Sequence, residues 1–177
     1  MNGLSKGNGT IEVALRWNPS PAGEPPTDLD LVAGTYTADA PHGDAAYVVH
    51  FDSRSPDGTI FLNRDSTDGR GFGYDEVMTL DLERLDPRYT RVVVGVVIQQ
   101  SAGRRTFSGV SGPGLRIRER YTDLATEDFA GVPEATAAVV GEFVRDGAGA
   151  WQFRAGVHGF AGDPSGFIRA MGGLGRP

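Results

Sequence analysis

The sequence predicts an all-β protein: a β-sandwich of two mainly antiparallel sheets with a short C-terminal helix. Three observations carry that expectation. Short runs alternating apolar and polar residues recur along the chain, as in T-I-E-V-A-L-R-W at 10–17, and a period of two marks a half-buried strand. Between the runs lie turn formers, and 26 glycines and 11 prolines in 177 residues imply many chain reversals. One run, R-V-V-V-G-V-V-I-Q-Q at 91–100, is apolar on both faces and so belongs in the middle of the core. A chain of this length can bury one good core, and nothing in its composition calls for a second, so a single domain over 1–177 is expected.

In chain order, the strand at 10–17 sets Ile11, Val13, Leu15 and Trp17 against Glu12 and Arg16. The loop N-P-S-P-A-G-E-P-P follows, and Pro25-Pro26 hold the chain extended ahead of Thr27. Next comes D-L-D-L-V-A-G-T-Y, in which Asp28 and Asp30 project from one face of an extended segment and Leu29 and Leu31 from the other. Such an aspartate pair either solvates a strand face or holds a cation; Asp is depleted in strand interiors, so the pair needs a reason. A-Y-V-V-H-F-D at 46–52 reads as a central strand, with His50 a packed or edge-facing residue, and S-P-D-G at 55–58 as a turn. Phe61-Leu62 and V-M-T-L-D-L at 77–82 are short strands joined by an acidic loop.

After the core strand, S-A-G-R-R-T-F-S-G at 101–109 is an exposed loop. L-R-I-R-E-R-Y at 115–121 then places Leu115, Ile117, Glu119 and Tyr121 on one face and Arg116, Arg118 and Arg120 on the other. An arginine row is either a basic stripe for an acidic partner or the solvated face of a surface strand, protected from aggregation; the second is expected here. D-L-A-T-E-D-F at 123–129 adds a short strand. The alanines of E-A-T-A-A-V-V-G-E-F-V-R at 134–145 would suit a helix. However, W-Q-F-R-A-G-V at 151–157 alternates strictly beyond a D-G-A-G connection, so the two segments read as paired strands with Trp151, Phe153, Ala155 and Val157 facing the core. About nine or ten strands result, the number a sandwich uses. P-S-G-F-I-R-A-M at 164–171 is the short helix, capped by Asp163 or Ser165.

The chemistry concentrates at 64–76, R-D-S-T-D-G-R-G-F-G-Y-D-E. Gly69, Gly71 and Gly73 let the backbone curl tightly, while Asp65, Asp68, Asp75 and Glu76 supply carboxylates. Crowded like charges cost free energy unless a cation neutralises them. A hard cation wanting about six to eight oxygens takes both carboxylates and the carbonyls of a curled backbone, which makes calcium the natural candidate. The glycine spacing fits neither a P-loop nor a Rossmann turn. It is not an EF-hand either: the sixth position from Asp65 is Arg70 rather than glycine, and the flanks read as strands.

Composition narrows the function classes further. A net charge of -6 disfavours a general nucleic-acid or anionic-membrane binder. With no cysteine there is no disulfide, thiol nucleophile or thiolate metal site, and His42, His50 and His158 lack close ligand spacing, so zinc is not expected. No segment reads as a signal peptide or a membrane span, and a cytoplasmic protein is expected.

Several of these pieces together resemble the TerD family of bacterial tellurium-resistance and stress-response proteins. The carriers are L-S-K-G-N at 4–8, D-L-D at 28–30, the S-P-D-G turn, the acidic loop running on into V-M-T-L-D-L, the V-V-V-G-V-V-I-Q strand, and G-E-F-V-R with W-Q-F-R-A-G-V-H-G-F-A-G. The family loop is close to G-D-N-x-T-G-x-G-x-G-D-D-E, from which this chain departs at Arg64, Ser66, Asp68 and Tyr74. The resemblance implies a sandwich with one or two calcium ions at one edge. The ligand set it implies is Asp28, Leu29, Asp30, Asp65, Ser66, Asp68, Gly71, Gly73, Asp75 and Glu76. It further implies a non-catalytic module whose partners, besides calcium, are other proteins of the same stress system. The alternatives are a calcium-independent protein-interaction scaffold, a calcium-dependent sugar-binding module using Phe72 and Tyr74, and a metal-assisted hydrolase, for which the motifs offer no nucleophile and base arrangement. Direct thiol chemistry on tellurite is excluded in a chain without cysteine.

Overall fold

The computed structural model describes the backbone of residues 2–3 and all of residues 9–175; the L-S-K-G-N motif lies outside them. Eleven strands are described: β1 (Asn2–Gly3), β2 (Thr10–Arg16), β3 (Leu29–Thr37), β4 (Tyr47–Val49), β5 (Ile60–Arg64), β6 (Glu76–Asp81), β7 (Tyr89–Ile98), β8 (Gly114–Glu119), β9 (Thr122–Glu127), β10 (Ala137–Arg145) and β11 (Trp151–Phe160). One helix, α1 (Pro164–Ala170), follows. The strands form two antiparallel sheets, ordered β1-β11-β10-β7-β3-β4 and β5-β6-β2-β8-β9. Packed face to face, they give the expected sandwich, with Ile11, Val13, Leu15, Leu29, Leu31, Val94, Val96 and Phe143 among the side chains that fill it.

Strand β7 explains itself. It lies between β3 and β10, and its second face is covered as well, by α1. Phe167 and Met171 pack there against Val32, Tyr36, Val93, Val97, Ala137 and Val139. Each fully buried valine stabilises the fold by roughly 1.5–3 kcal/mol, so a strand sealed on both sides must be apolar on both. Gly95 is the necessary exception, because a Cβ there would stand 2.7 Å from the Phe167 ring. The helix begins where Asp163 Oδ1 accepts a hydrogen bond from the Gly166 N–H at 2.6 Å, so Asp163 and not Ser165 is the cap.

Three expectations need correction. The 46–52 run is not central: only Tyr47–Val49 are strand, at the sheet edge, and a bridge between His50 and Ser53 then turns the chain away. β propensity reports fit to a pleated surface, not position in a sheet. Ala155 is exposed and Val157 only half-buried, although Trp151 and Phe153 are buried as expected; an irregularity between Val139 and Gly141 shifts the register of β11 against β10. Tyr121 is 92% exposed, because β8 ends at Glu119 and Arg120 turns the chain at a φ of 52°. The arginines of β8 are paired on a solvated face, Arg116 with Glu12 at 3.5 Å and Arg118 with Asp123 at 3.3 Å.

Beside α1, a buried charge ties three parts of the chain together. Arg91 donates from Nε to Glu142 Oε2 at 2.6 Å and from Nη1 to the carbonyls of Pro41 and Gly172 at 2.6 and 2.7 Å. Its guanidinium also lies 5.4 Å from the centre of the Tyr36 ring. Arg91→Ala is expected to destabilise the protein by about 3 kcal/mol in urea denaturation, because the change takes a donor from the Pro41 and Gly172 carbonyls and from Glu142 Oε2. Arg91→Lys should recover little of this, since an ammonium cannot reproduce the planar fork.

Candidate metal centre

The site exists because β4 is short. It pairs β3 only from Ala33 to Thr35, so the first residues of β3 have β7 on one side and an open edge on the other. In an antiparallel ladder the N–H and C=O of one residue point to the same side, alternating along the strand. The Leu31 N–H points to the open edge, where it donates to Glu76 Oε2 at 2.8 Å. The carbonyls of Leu29 and Leu31 therefore face that edge too. Glu76 opens β6 in the other sheet, so its side chain crosses between the sheets where the sandwich would otherwise gape.

Asp30, Asp65 and Glu76 meet at this edge, each offering an oxygen within 4.8 Å of the others. Asp30 and Glu76 are 3% and 0% exposed, which is unusual for carboxylates. Asp30 Oδ2 accepts from Gln99 Nε2 at 2.6 Å. Two further oxygens, Asp28 Oδ1 and Glu76 Oε1, are buried without any hydrogen-bond partner. Unpartnered buried acceptors are costly, and a cation is the partner that satisfies several at once. The cluster can therefore hold a metal ion, and it offers only oxygen.

Burial and mutual repulsion act on the same groups. The Asp28 carboxyl is pushed from 3.8 to about 7, by burial first and then by Asp30, Asp65 and Asp68. Glu76 is driven far upward by burial, with proximity to Asp65 and Asp30 adding to it. Asp30 is also raised by burial, against the opposing hydrogen bond from Gln99.

The other expected ligands are placed differently. Asp75 is buried, but its Oδ2 accepts from the Trp17 N–H at 2.9 Å, anchoring the loop to the end of β2. Ser66 Oγ accepts from the Gly69 N–H at 3.1 Å and Asp68 Oδ1 from the Arg70 N–H at 2.9 Å, so both brace the loop from within. Gly71 and Gly73, both exposed, have φ of 133° and 72°, the curling their sequence suggests. Gly69 at φ 75° has a second reason to be glycine, since a Cβ would fall 2.5 Å from Trp17 Nε1. Tyr74 does not join Phe72 in an aromatic platform; its ring lies under Arg116, 4.6 Å from the guanidinium, while Phe72 stands 96% exposed.

Four contributors were not singled out in the sequence as parts of the site. Gln99 reaches Asp30 through strand register, Trp17 supports the loop, Arg64 donates to the Phe72 carbonyl at 3.2 Å, and His50 lies close enough to Asp30 to feel its charge. Only Gln99 left a sequence signal, as a polar residue directly after an apolar strand.

Raised carboxyls fix the sign of the pH response. The folded state keeps protons that the unfolded chain has released, so their contribution to stability is full at low pH and is lost as pH climbs toward the folded values. Metal-free protein is expected to melt at progressively lower temperature from about pH 4 to about pH 7, and Asp28→Asn should flatten the trend. A melting temperature that rises through this range in chelator would refute the assignment.

Comparison with known proteins places the chain in a family and supports its fold. The family model of the TerD domain matches residues 2–170. The tellurium resistance protein TerD of an Alcaligenes species is 30% identical over 157 residues, covering 86% of this chain and 81% of that protein. Its counterpart from Serratia marcescens is 28% identical with the same coverage. Among solved structures, that of SAV2460, described as a protein of unknown function, is 64% identical with a TM-score of 0.93, covering 95% of this chain and 99% of that one. A homologue of the telluride resistance protein TerD, SCO6318 from Streptomyces coelicolor A3(2), is 51% identical with a TM-score of 0.91, covering 94% and 98%. A domain match over nearly the whole chain, on a sandwich that carries this acidic edge, establishes that the protein belongs to the TerD family.

Proposed function

We propose that the protein is a non-catalytic calcium-binding module of a bacterial tellurium-resistance and stress-response system, acting in the cytoplasm through a calcium-dependent surface. The observation that carries the calcium reading is the edge itself: Asp30, Asp65 and Glu76 drawn together with buried oxygens left unpartnered. The donors are all oxygen, which suits a hard cation rather than zinc or copper. Ligands at about 2.3–2.6 Å from one calcium lie at most about 5 Å apart, and the three carboxylate oxygens fall within that span. Asp30, Asp65 and Glu76 would hold the ion, with Asp28 and the Leu29 carbonyl as neighbouring donors. When bound, the ion supplies charge neutralisation, and the loop's own contacts to Trp17 and Leu31 hold the carboxylates in place. The tellurium-resistance assignment rests on the names of the relatives.

Binding to the folded state alone stabilises it by about 2.7 kcal/mol when ligand is about a hundredfold above Kd, or about 5–10 °C in melting temperature for a chain of this size. That rise is expected in calcium relative to chelator, and Glu76→Gln should abolish it. Equal melting temperatures in chelator and millimolar calcium would overturn the reading, and calorimetric stoichiometry decides between one ion and two.

Phe72 favours docking of a partner next to the ion. Its ring is 96% exposed on a loop that takes positive φ at Gly71 and Gly73 and whose Phe72 carbonyl accepts from Arg64, which leaves an unpacked aromatic of the kind enriched at interface cores available to a partner. Phe72→Ala is expected to leave calcium affinity unchanged and to remove calcium-dependent capture of partner proteins of the same stress system. Capture that persists in this variant would remove Phe72 from the docking surface.

A further inference from the structure

We infer that the cleft between the outer face of β10 and β11 and the turn after α1 is a binding site for a small oxyanion such as phosphate. It is lined by His42, Arg91, Glu142, Arg154, His158 and Gly175, among others, around about 60 Å³ of space. That is several times what one water needs, and too little for a nucleotide. The cleft lies well away from the acidic edge: Arg91 is paired with Tyr36 near the end of β3, whereas Asp30 lies near its start, about 20 Å along the strand.

The charge inventory of the cleft points to an anion. Glu142 is the carboxylate on its wall, and both of its oxygens are already covered, Oε2 by Arg91 at 2.6 Å and Oε1 by Arg154 at 2.9 Å. Arg91 is spent on internal partners and is only 7% exposed in its side chain. Arg154 is not: a single contact to Glu142 leaves the rest of its guanidinium, 54% exposed, available at the mouth. Two guanidinium groups against one carboxylate leave a net positive charge on the cleft, in a chain whose total is -6. Two imidazoles line the same cleft. His42 is oriented by its Nδ1 contact with the Gly172 carbonyl at 3.2 Å. His158 is packed so closely on Gly175 that a Cβ at this position would stand 2.5 Å from Nε2. A planar fork with spare N–H groups in a small cleft of net positive charge is the chemistry that recognises a compact oxyanion.

The three histidines make the test direct, because His42 and His158 line this cleft while His50 lies at the acidic end. The full chain in chelator, at fixed pH, is titrated with inorganic phosphate against chloride of equal ionic strength, and the imidazole proton resonances are followed. Saturable shifts of His42 and His158 with His50 unmoved are expected in phosphate alone. Arg154→Gln and, separately, His158→Gln should each weaken the midpoint by about tenfold; the second variant leaves the Arg91, Glu142 and Arg154 pairing untouched. Shifts that fail to saturate, that are equal in chloride, or that titrate unchanged in both variants would overturn the assignment. Calcium is absent throughout, so the result stands apart from the calcium reading.

Discussion

Burying carboxylates at the seam between the two sheets is the constraint on which this end of the molecule depends. Glu76 must cross from β6 to the unpaired edge of β3 to satisfy the Leu31 N–H, and in doing so it enters a space that already holds Asp30 and Asp65. Like charges so close in a partly dry environment cannot all be ionised without a compensating cation. The surroundings are arranged around that problem. The glycine loop curls between Asp65 and Glu76, Trp17 lies against it at Gly69, and Asp75 pins its end to β2.

The molecule treats its other buried charges differently. Arg91 is buried as Asp30 and Glu76 are, but its Nε and Nη1 and both oxygens of Glu142 have partners, and the network closes on Pro41 and Gly172. Such a network has a structural role: it holds α1 and the following turn against the sheet. At the acidic edge, by contrast, Asp28 Oδ1 and Glu76 Oε1 have no partner. Among the described residues these two are the buried carboxylate oxygens without a hydrogen-bond partner. The other buried side-chain atoms without one are the hydroxyl oxygens of Thr35, Tyr36 and Tyr47 and the Nε atoms of Arg116, Arg118 and Arg145, none of which can ligate a cation as a carboxylate does.

The loop also accounts for residues at which this chain departs from the family pattern. Arg64 donates to the Phe72 carbonyl, Ser66 accepts from Gly69, Asp68 accepts from Arg70, and Tyr74 lies under Arg116. Each substitution is taken up by a contact within or beside the loop, while Asp30, Asp65 and Glu76 retain their carboxylates in one place. The loop can therefore vary in how it is braced without changing what it gathers.

The sequence by itself determined the all-β architecture, the short helix, the core position of β7 and the acidic character of 64–76, because periodicity, turn residues and clustered charge are local properties. The proximity of Asp28 and Asp30 was legible for the same reason. Tertiary structure alone decided that the 46–52 run would be a three-residue edge strand, and this sets the site, since a longer β4 would have covered the Leu31 N–H. It also decided which acids meet. Asp65 and Glu76 are close in sequence to Asp68 and Asp75, yet only the first two join Asp30, because Asp68 turns back to Arg70 and Asp75 to Trp17. Strand register and side-chain direction between two sheets are long-range consequences of packing the whole core, and no local pattern in the chain encodes them.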